Sequence, residues 1–366
     1  MSTPVFDITA RHKDLIFAPA TREHYTLKAG GTIEPDELMS NRDWVLHFVD
    51  HARREVAFAL MPPGLDLGTA PFIYAEQHDR AERLAFLPFD AFIELADALP
   101  DPPNVVFVFN IGRCGSTLIS KIFAEVPGVW SLSEPDPYSQ ITHQRHTFDL
   151  DTRVALVRAT TRALFRPPEG KDATTFVLKF RSYSSFDMEP FFLAFPKAHN
   201  LFLWREPIGW SNSFYLLAQL LGDDEARNTR EFLDLRWKWQ TAEADRALYA
   251  RFDDLDLAQS RDEPLFAALW AASLETYLEA KAHGDRIEAF SYQQLNEERE
   301  ATVTRLLQAC GLPAEHLGSA MRAYERHSQE DSIVSGIRDA RPLSAEQRAE
   351  IAQMLAGHPA LDLMKG

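Results

Sequence analysis

Disulfide chemistry is all but excluded by composition. The 366 residues include two cysteines, Cys114 and Cys310, too few for a cross-linked framework and in keeping with a reducing compartment. No apolar run reaches the length of about 20 residues that spans a bilayer. The first residues, MSTPVFDITARHKDLIF, hold no apolar core of the signal-peptide kind. Positive charge is also in deficit: 38 Lys and Arg stand against 54 Asp and Glu, a net charge of −16 with His neutral. Proteins that bind nucleic acid or anionic membranes carry the opposite footprint. A local anion site stays open, because it needs a few placed donors rather than a basic surface. Internal repeats and low-complexity segments are missing too. These absences lead to the expectation of a soluble cytoplasmic protein, with no nucleic-acid or membrane partner and an oligomeric state the sequence does not give. A hydrophobic content of 45% suits one large α/β domain with additions, or two domains.

What is present concentrates in Val105–Phe123, VVFVFNIGRCGSTLISKIF. Val105–Phe109 is a continuous apolar run and reads as a strand buried on both faces. Leu118, Ile119, Ile122 and Phe123 recur at helical spacing. Between them lie Gly112, Arg113, Cys114, Gly115, Ser116 and Thr117. Strand, glycine turn, hydroxyl pair and helix make a cradle for an anion. Glycines let backbone N–H groups close on it, and the helix N-terminus adds donors.

Around this stretch the chain divides into residues 1–100, an α+β layer without a chemical motif, and residues 101–366. In the first part Val56–Met61 and Phe72–Ala75 read as short strands and Phe89–Leu99 as a helix, with Phe92, Leu95 and Leu99 on one stripe. In the second, strands are expected at 129–132, 175–180, 200–204 and 286–292. Helices are expected at 152–166, 186–195, from Pro207, at 225–252 and 264–283, and from 293 through Ala309. Ser344 and Gln347 have capping-box spacing for a last helix. Alternating strands and helices imply a parallel sheet covered on both faces, with ligands outside the carboxyl ends of its strands. There the strands deliver Arg113, Glu134, Lys179 and Arg205 in turn: three cations and one carboxylate at one sheet edge.

The cradle lacks the lysine of the nucleotide-triphosphate loop, GxxxxGKS or GxxxxGKT; Gly115 precedes Ser116 instead. No strand-terminal Asp is evident to hold magnesium, which phosphoryl transfer requires. The positive charge would come from Arg113, Lys179 and Arg205.

Four segments, in order, resemble the sulfotransferases that use 3′-phosphoadenosine-5′-phosphosulfate (PAPS). Gly112–Leu118, GRCGSTL, resembles the family's 5′-phosphosulfate loop, with Gly112 where proline is usual and Cys114 where serine or threonine is usual. Phe202–Pro207, FLWREP, followed by Ser213 eight residues after Arg205, resembles the 3′-phosphate element. Val177-Leu178-Lys179 resembles the lysine-bearing strand of the bacterial and tyrosylprotein branch. Phe290–Leu295 with Cys310-Gly311-Leu312 resembles a later tyrosine-containing segment. The likeness runs from about residue 104 to 315 and leaves residues 1–100 outside. It implies a P-loop NTPase-like parallel sheet flanked by helices, with an N-terminal α+β addition, and transfer of a sulfuryl group from PAPS to a small-molecule hydroxyl or amine without a metal. It further implies that Arg113, Cys114, Gly115, Ser116, Thr117 and Leu118 hold the 5′ end, and Arg205 and Ser213 the 3′-phosphate, with a smaller claim for Ser211. Tyr292 is a candidate cofactor contact, as are Ser335 and Arg338, with Ser332, in the polar stretch 327–342. Arg113 or Lys179 would neutralise charge on the bridging oxygen. Glu134 is the first candidate for the base, with Asp136, His143 and His146 as alternatives. Trp204, Trp210, Trp237 and Trp239 are expected in the core, unless one stacks on adenine. A kinase using ATP and magnesium, a catalytically silent nucleotide-binding protein and a scaffold remain as alternatives. The acceptor itself is not legible.

Overall fold

The apolar runs of the second half lie where two-sided burial requires them, at the centre of a parallel sheet. A computed structural model describes residues 2–13, 18–167, 169–219, 262–325 and 341–365. Among these are two five-stranded sheets. The expected helix at 225–252, Trp237, Trp239, Ser332, Ser335 and Arg338 lie outside the described residues.

The N-terminal sheet contains β1 (Thr3–Arg11), β2 (Tyr25–Ile33), β3 (Trp44–Asp50), β4 (Glu55–Leu60) and β5 (Arg83–Pro88), in the spatial order β2-β1-β5-β4-β3. Every pairing in it is antiparallel. β4 follows the sequence expectation, but Phe72–Ala75 does not. That segment opens a helix, Ile73–Arg80, which buries Ile73, Tyr74, Gln77 and His78 on one face. The β-forming side chains of Phe72, Ile73 and Tyr74 are overruled by tertiary burial, since strand preference mostly reports fit to a pleated, half-buried surface. The helix Phe89–Asp97 buries Phe89, Phe92 and Ala96.

The second sheet contains β6 (Asn104–Asn110), β7 (Val129–Ser133), β8 (Thr175–Lys179), β9 (His199–Trp204) and β10 (Ile287–Ser291), in the order β10-β9-β6-β8-β7. All its pairings are parallel. It is an α/β sheet flanked by helices, as the alternating pattern predicts. β6 is central. The chain leaves it toward β7 and β8 on one side and reaches β9 and β10 on the other, so the carboxyl end of β6 lies where the strand order reverses. Such switch points open a crevice in parallel sheets.

Helix ends follow local chemistry. Asp149 caps the helix Leu150–Leu164 by accepting from Thr152 N at 2.7 Å. Pro207 begins the helix Pro207–Ala218, and Glu206 caps it by accepting from Gly209 N at 2.8 Å. Ser344 and Gln347 form the reciprocal capping box expected for the helix Ala345–Met354. Ser291 and Gln294 form another at the helix Tyr292–Glu297.

The two sheets share one hydrophobic core. Polar ties cross between them at the helix Asp136–His143. Asp136 Oδ2 accepts from Ala20 N at 2.7 Å, Gln140 Nε2 donates to Ala20 O at 2.6 Å, and Val49 N donates to Gln140 Oε1 at 2.7 Å. The N-terminal layer is therefore fastened to the residues that follow Glu134. Among the described residues, no helix is long and apolar enough to cross a membrane, and no group of three or more His, Cys, Asp or Glu side chains is placed to hold a metal ion.

Candidate functional site

The loop after β6 has the backbone of an anion cradle. Gly112 and Gly115 have φ of +71° and +84°, and Arg113 between them has φ of +50°. Two glycines are needed because the left-handed region costs other residues roughly 1–2 kcal/mol each. Both are also crowded: a Cβ on Gly112 would stand 3.2 Å from Phe214 Cζ, and one on Gly115 would stand 3.1 Å from Tyr292 Cδ2. Gly115 is the N-cap of the helix Ser116–Ala124 and supplies no side-chain cap. The first N–H groups of that helix thus face the loop without an intrahelical acceptor.

The loop is clamped from below. Asn110 Nδ2 donates to Phe180 O at 2.7 Å, and its Oδ1 accepts from Gly112 N at 2.9 Å. Buried Trp210 donates from Nε1 to Ile111 O at 3.0 Å and Gly112 O at 2.9 Å. The Cys114 thiol is fully buried, and burial pushes its pKa up to about 11. Cys114 can therefore serve a ligand through its backbone alone, as a small uncharged filler.

The four charged residues expected at the strand ends line one cleft, with a cavity of about 400 Å³. Gly112, Gly115, Ser116, Thr117, Leu118, Ser213 and Tyr292 line it as well. On one side, Arg113 Nε donates to Ser213 Oγ at 2.9 Å, and Arg205 Nη1 reaches Arg113 O at 3.5 Å. Burial, and then the neighbouring Arg205, push the Arg113 pKa below its ordinary value. Among the described residues Arg205 Nε lies 4.0 Å from Glu206 Oε1, and the other oxygen of Glu206 is engaged as a helix cap. Two guanidiniums brought together in this way repel each other until an anion joins them. The Arg205 guanidinium also stacks 4.2 Å above the Tyr292 ring, and Trp270 Nε1 holds Arg205 O at 2.9 Å. Ser211 is buried and does not line the cleft, whereas Ser213 does.

On the other side, Lys179 Nζ donates to Glu134 Oε1. Lys179 is 1% exposed and the Glu134 side chain 17%. Glu134 has φ of +61°, and its N–H is held by Lys179 O at 2.7 Å. A non-glycine residue kept in that region is strained, and such strain persists where the surroundings over-determine it.

Arg181, which the sequence reading did not single out, lies 3.9 Å from Glu134 Oε2 and 2.9 Å from Asp136 Oδ1. Burial works against its charge, but Asp136, then Tyr74 and Glu134, hold its pKa above the ordinary value. Asp136 is 0% exposed, is bonded to Ala20 N, and does not line the cleft. Its geometry is that of a structural carboxylate. His143 packs against the Tyr183 ring with centroids 5.0 Å apart, and burial, then Arg181, push its pKa down to about 4. His146 is exposed. Neither histidine lines the cleft.

Phe72 and Tyr74 line the cleft too, although residues 1–100 carry no motif. The signals for the missed residues are faint. Arg181 stands two positions beyond Lys179, while Phe72 and Tyr74 are separated from the rest of the site by chain length. Trp210 and Trp270 are core tryptophans, as Trp210 was expected to be, with indole N–H groups spent on the loop and on Arg205.

No known family model matches the chain, and neither does any curated protein. The solved structures it is similar to include sulfotransferases. One from Mycobacterium avium is 13% identical with a TM-score of 0.47, the match covering 94% of this chain and 97% of that one. Mouse sulfotransferase SULT7A1 complexed with PAP is 9% identical with a TM-score of 0.39, covering 75% and 93%. A sulfotransferase from Alicyclobacillus acidocaldarius is 14% identical with a TM-score of 0.39, covering 71% and 94%.

Proposed function

We propose that the cleft transfers a sulfuryl group from PAPS to the hydroxyl or amine of a small acceptor. The observation that carries this reading is the division of charge in a single cleft. The Arg113–Ser213–Arg205 cluster and its glycine loop form one end, and the Glu134–Lys179 pair forms the other. Two adjoining guanidiniums beside a glycine loop suit a ligand that carries more than one phosphate. The donor set fits, because both guanidiniums face the cleft with a loop of backbone N–H groups beside them.

In this reading Arg113, the loop N–H groups, Ser116 and Thr117 hold the 5′-phosphate, and Arg205 and Ser213 grip the 3′-phosphate. Arg suits this task because its forked donors match an oxyanion bidentately. Tyr292 backs the Arg205 guanidinium and fixes its plane. PAPS supplies a sulfuryl group on a phosphate leaving group: the acceptor oxygen or nitrogen bonds to sulfur as the bridging S–O bond breaks, and that electron pair departs with adenosine 3′,5′-bisphosphate. Glu134 takes the acceptor proton. Lys179 holds the carboxylate in place and, with Arg113, offsets the charge that grows on the departing oxygen. Fixed donors aimed at developing charge are among the largest contributions to catalysis, and holding both partners in one cleft adds the gain of proximity.

Calorimetry with adenosine 3′,5′-bisphosphate against ATP with magnesium tests this reading. The bisphosphate is expected to bind in the micromolar range or tighter without metal, and the triphosphate far more weakly. Preference for ATP with magnesium would replace this reading with a kinase.

A further inference from the structure

β9 ends at Trp204, whose ladder partner is Ser291. Arg205 is the first residue beyond that pair, and Glu206 after it is already the N-cap of the helix Pro207–Ala218. The Arg205 carbonyl has thus left the sheet without entering the helix, and a backbone acceptor away from water needs another donor. The indole of Trp270 supplies it, donating from Nε1 to Arg205 O at 2.9 Å. Trp270 is fully buried and does not line the cleft. It is also fixed from behind. It stands in the continuously buried stretch Glu263–Leu274 of the helix Asp262–His283. The His358 ring meets it at 68°, with centroids 6.2 Å apart, and His358 Nε2 lies 3.0 Å from Glu275 Oε1. Close packing of this kind fixes a side chain in one rotamer, and so sets the direction of the indole N–H.

Holding the carbonyl holds the arginine. β9 fixes the chain on the N-terminal side of Arg205, and the indole bond fixes the planar peptide on its C-terminal side. The direction of the Cα–Cβ bond is thereby set. From there the guanidinium lies over the Tyr292 ring and reaches Arg113 O. Arg113 and Arg205 repel each other, and the Arg205 side chain is partly exposed. Repulsion favours rotamers that carry Arg205 out to solvent, and a fixed backbone works against them. A side chain already in its binding position loses less freedom when a ligand arrives. The loop has an indole of its own, Trp210, on Ile111 O and Gly112 O, so the 5′ end of the site is held independently of Trp270.

We propose that Trp270 is a positioning residue. Without touching the ligand it aims Arg205 at the 3′-phosphate, and so sets how strongly the protein prefers a nucleotide with that phosphate to one with a 5′-phosphate alone. The proposal rests on the sulfuryl-transfer reading above, which puts the 3′-phosphate at Arg205.

The test compares adenosine 3′,5′-bisphosphate with adenosine 5′-phosphate by calorimetry on the full chain. Wild-type protein is expected to bind the bisphosphate at least tenfold more tightly. Trp270→Phe keeps a ring and removes the N–H. It should weaken the bisphosphate about tenfold and leave adenosine 5′-phosphate within twofold, which also shows that the variant is folded. In an Arg205→Ala background the same substitution should weaken the bisphosphate less than twofold, because the residue through which it acts is gone. Trp270→Tyr fills more of the space, carries its O–H on the ring axis rather than to the side, and serves if the phenylalanine variant does not fold; it should weaken the bisphosphate selectively as well. Equal weakening of both nucleotides, an unchanged bisphosphate affinity, or a tenfold loss that persists in the Arg205→Ala background overturns the role of Trp270 alone. Wild-type protein that does not bind the bisphosphate, or binds it no more tightly than adenosine 5′-phosphate, overturns the sulfuryl-transfer reading, and this inference with it.

Discussion

Replacing Glu134 by glutamine separates the base from the pillar. The amide keeps the shape of the side chain and leaves the backbone strain at φ +61° unchanged, so the change is one of charge and proton affinity. As general base, Glu134 should contribute a factor of about 10²–10⁴ in rate, or about 3–5 kcal/mol of barrier. As ion-pair partner, it neutralises an ammonium that is 1% exposed. Stripping the partner from a fully buried pair costs roughly 3–5 kcal/mol. Here the carboxylate side is 17% exposed and the glutamine oxygen still accepts one bond from Lys179, so a stability loss of about 1–2 kcal/mol is expected. The assay is single-turnover sulfuryl transfer to a small hydroxyl acceptor, with urea unfolding and bisphosphate calorimetry run alongside. Lys179→Met completes a double-mutant cycle. Adding it to Glu134→Gln should recover part of the lost stability, because no buried charge is then left alone, and should recover no activity. A Glu134→Gln enzyme that keeps its rate within threefold would remove Glu134 as the base. Loss of activity and bisphosphate binding in equal measure would make it a purely structural residue.

Arg205→Ala should weaken adenosine 3′,5′-bisphosphate by about 10- to 150-fold, since charge-assisted hydrogen bonds contribute roughly 1.5–3 kcal/mol; calorimetry that shows less than a threefold change would displace it from the 3′-phosphate. Gly115→Ala forces φ +84° on a residue with a Cβ that stands 3.1 Å from Tyr292, and should lower both stability and bisphosphate affinity, read by urea unfolding and calorimetry; unchanged values would mean that the loop yields easily. His143 carries a pKa pushed down to about 4 by burial and then by Arg181, against about 6.5 when unfolded. Between those values the unfolded chain binds the extra proton, so stability falls as pH drops from about 6.5 to 4. His143→Gln should flatten that part of the urea-midpoint profile, and an unaltered slope would show that other groups set it.

Much of the architecture was legible because each step had a local physical signature. The uninterrupted apolar runs of β6, β8 and β9 announce strands buried on both faces, and Ser344 with Gln347 announces a helix start. The N-terminal sheet was harder. β1, β2, β3 and β5 carry no clear strand signature, and Phe72–Ala75 reads as a strand, because β-branched and aromatic residues serve a helix equally well when Ile73, Tyr74 and Gln77 are buried on one face. Arg113, Glu134, Lys179 and Arg205 could be brought to one sheet edge on paper, since parallel strands separated by helices must point the same way.

Sequence alone could reach as far as the cationic end of the cleft: a glycine loop whose backbone conformation depends on residue type, and a cation at the end of each of three strands. Tertiary structure decided the rest. It turned Cys114 into the core, buried Asp136 as an anchor between the layers, and put Ser213 rather than Ser211 at the cleft wall. It also placed Phe72 and Tyr74, from an N-terminal layer without any motif, beside Glu134 and Lys179. Side-chain direction and contacts between residues distant in the chain arise from packing the whole core at once, and no local pattern encodes them.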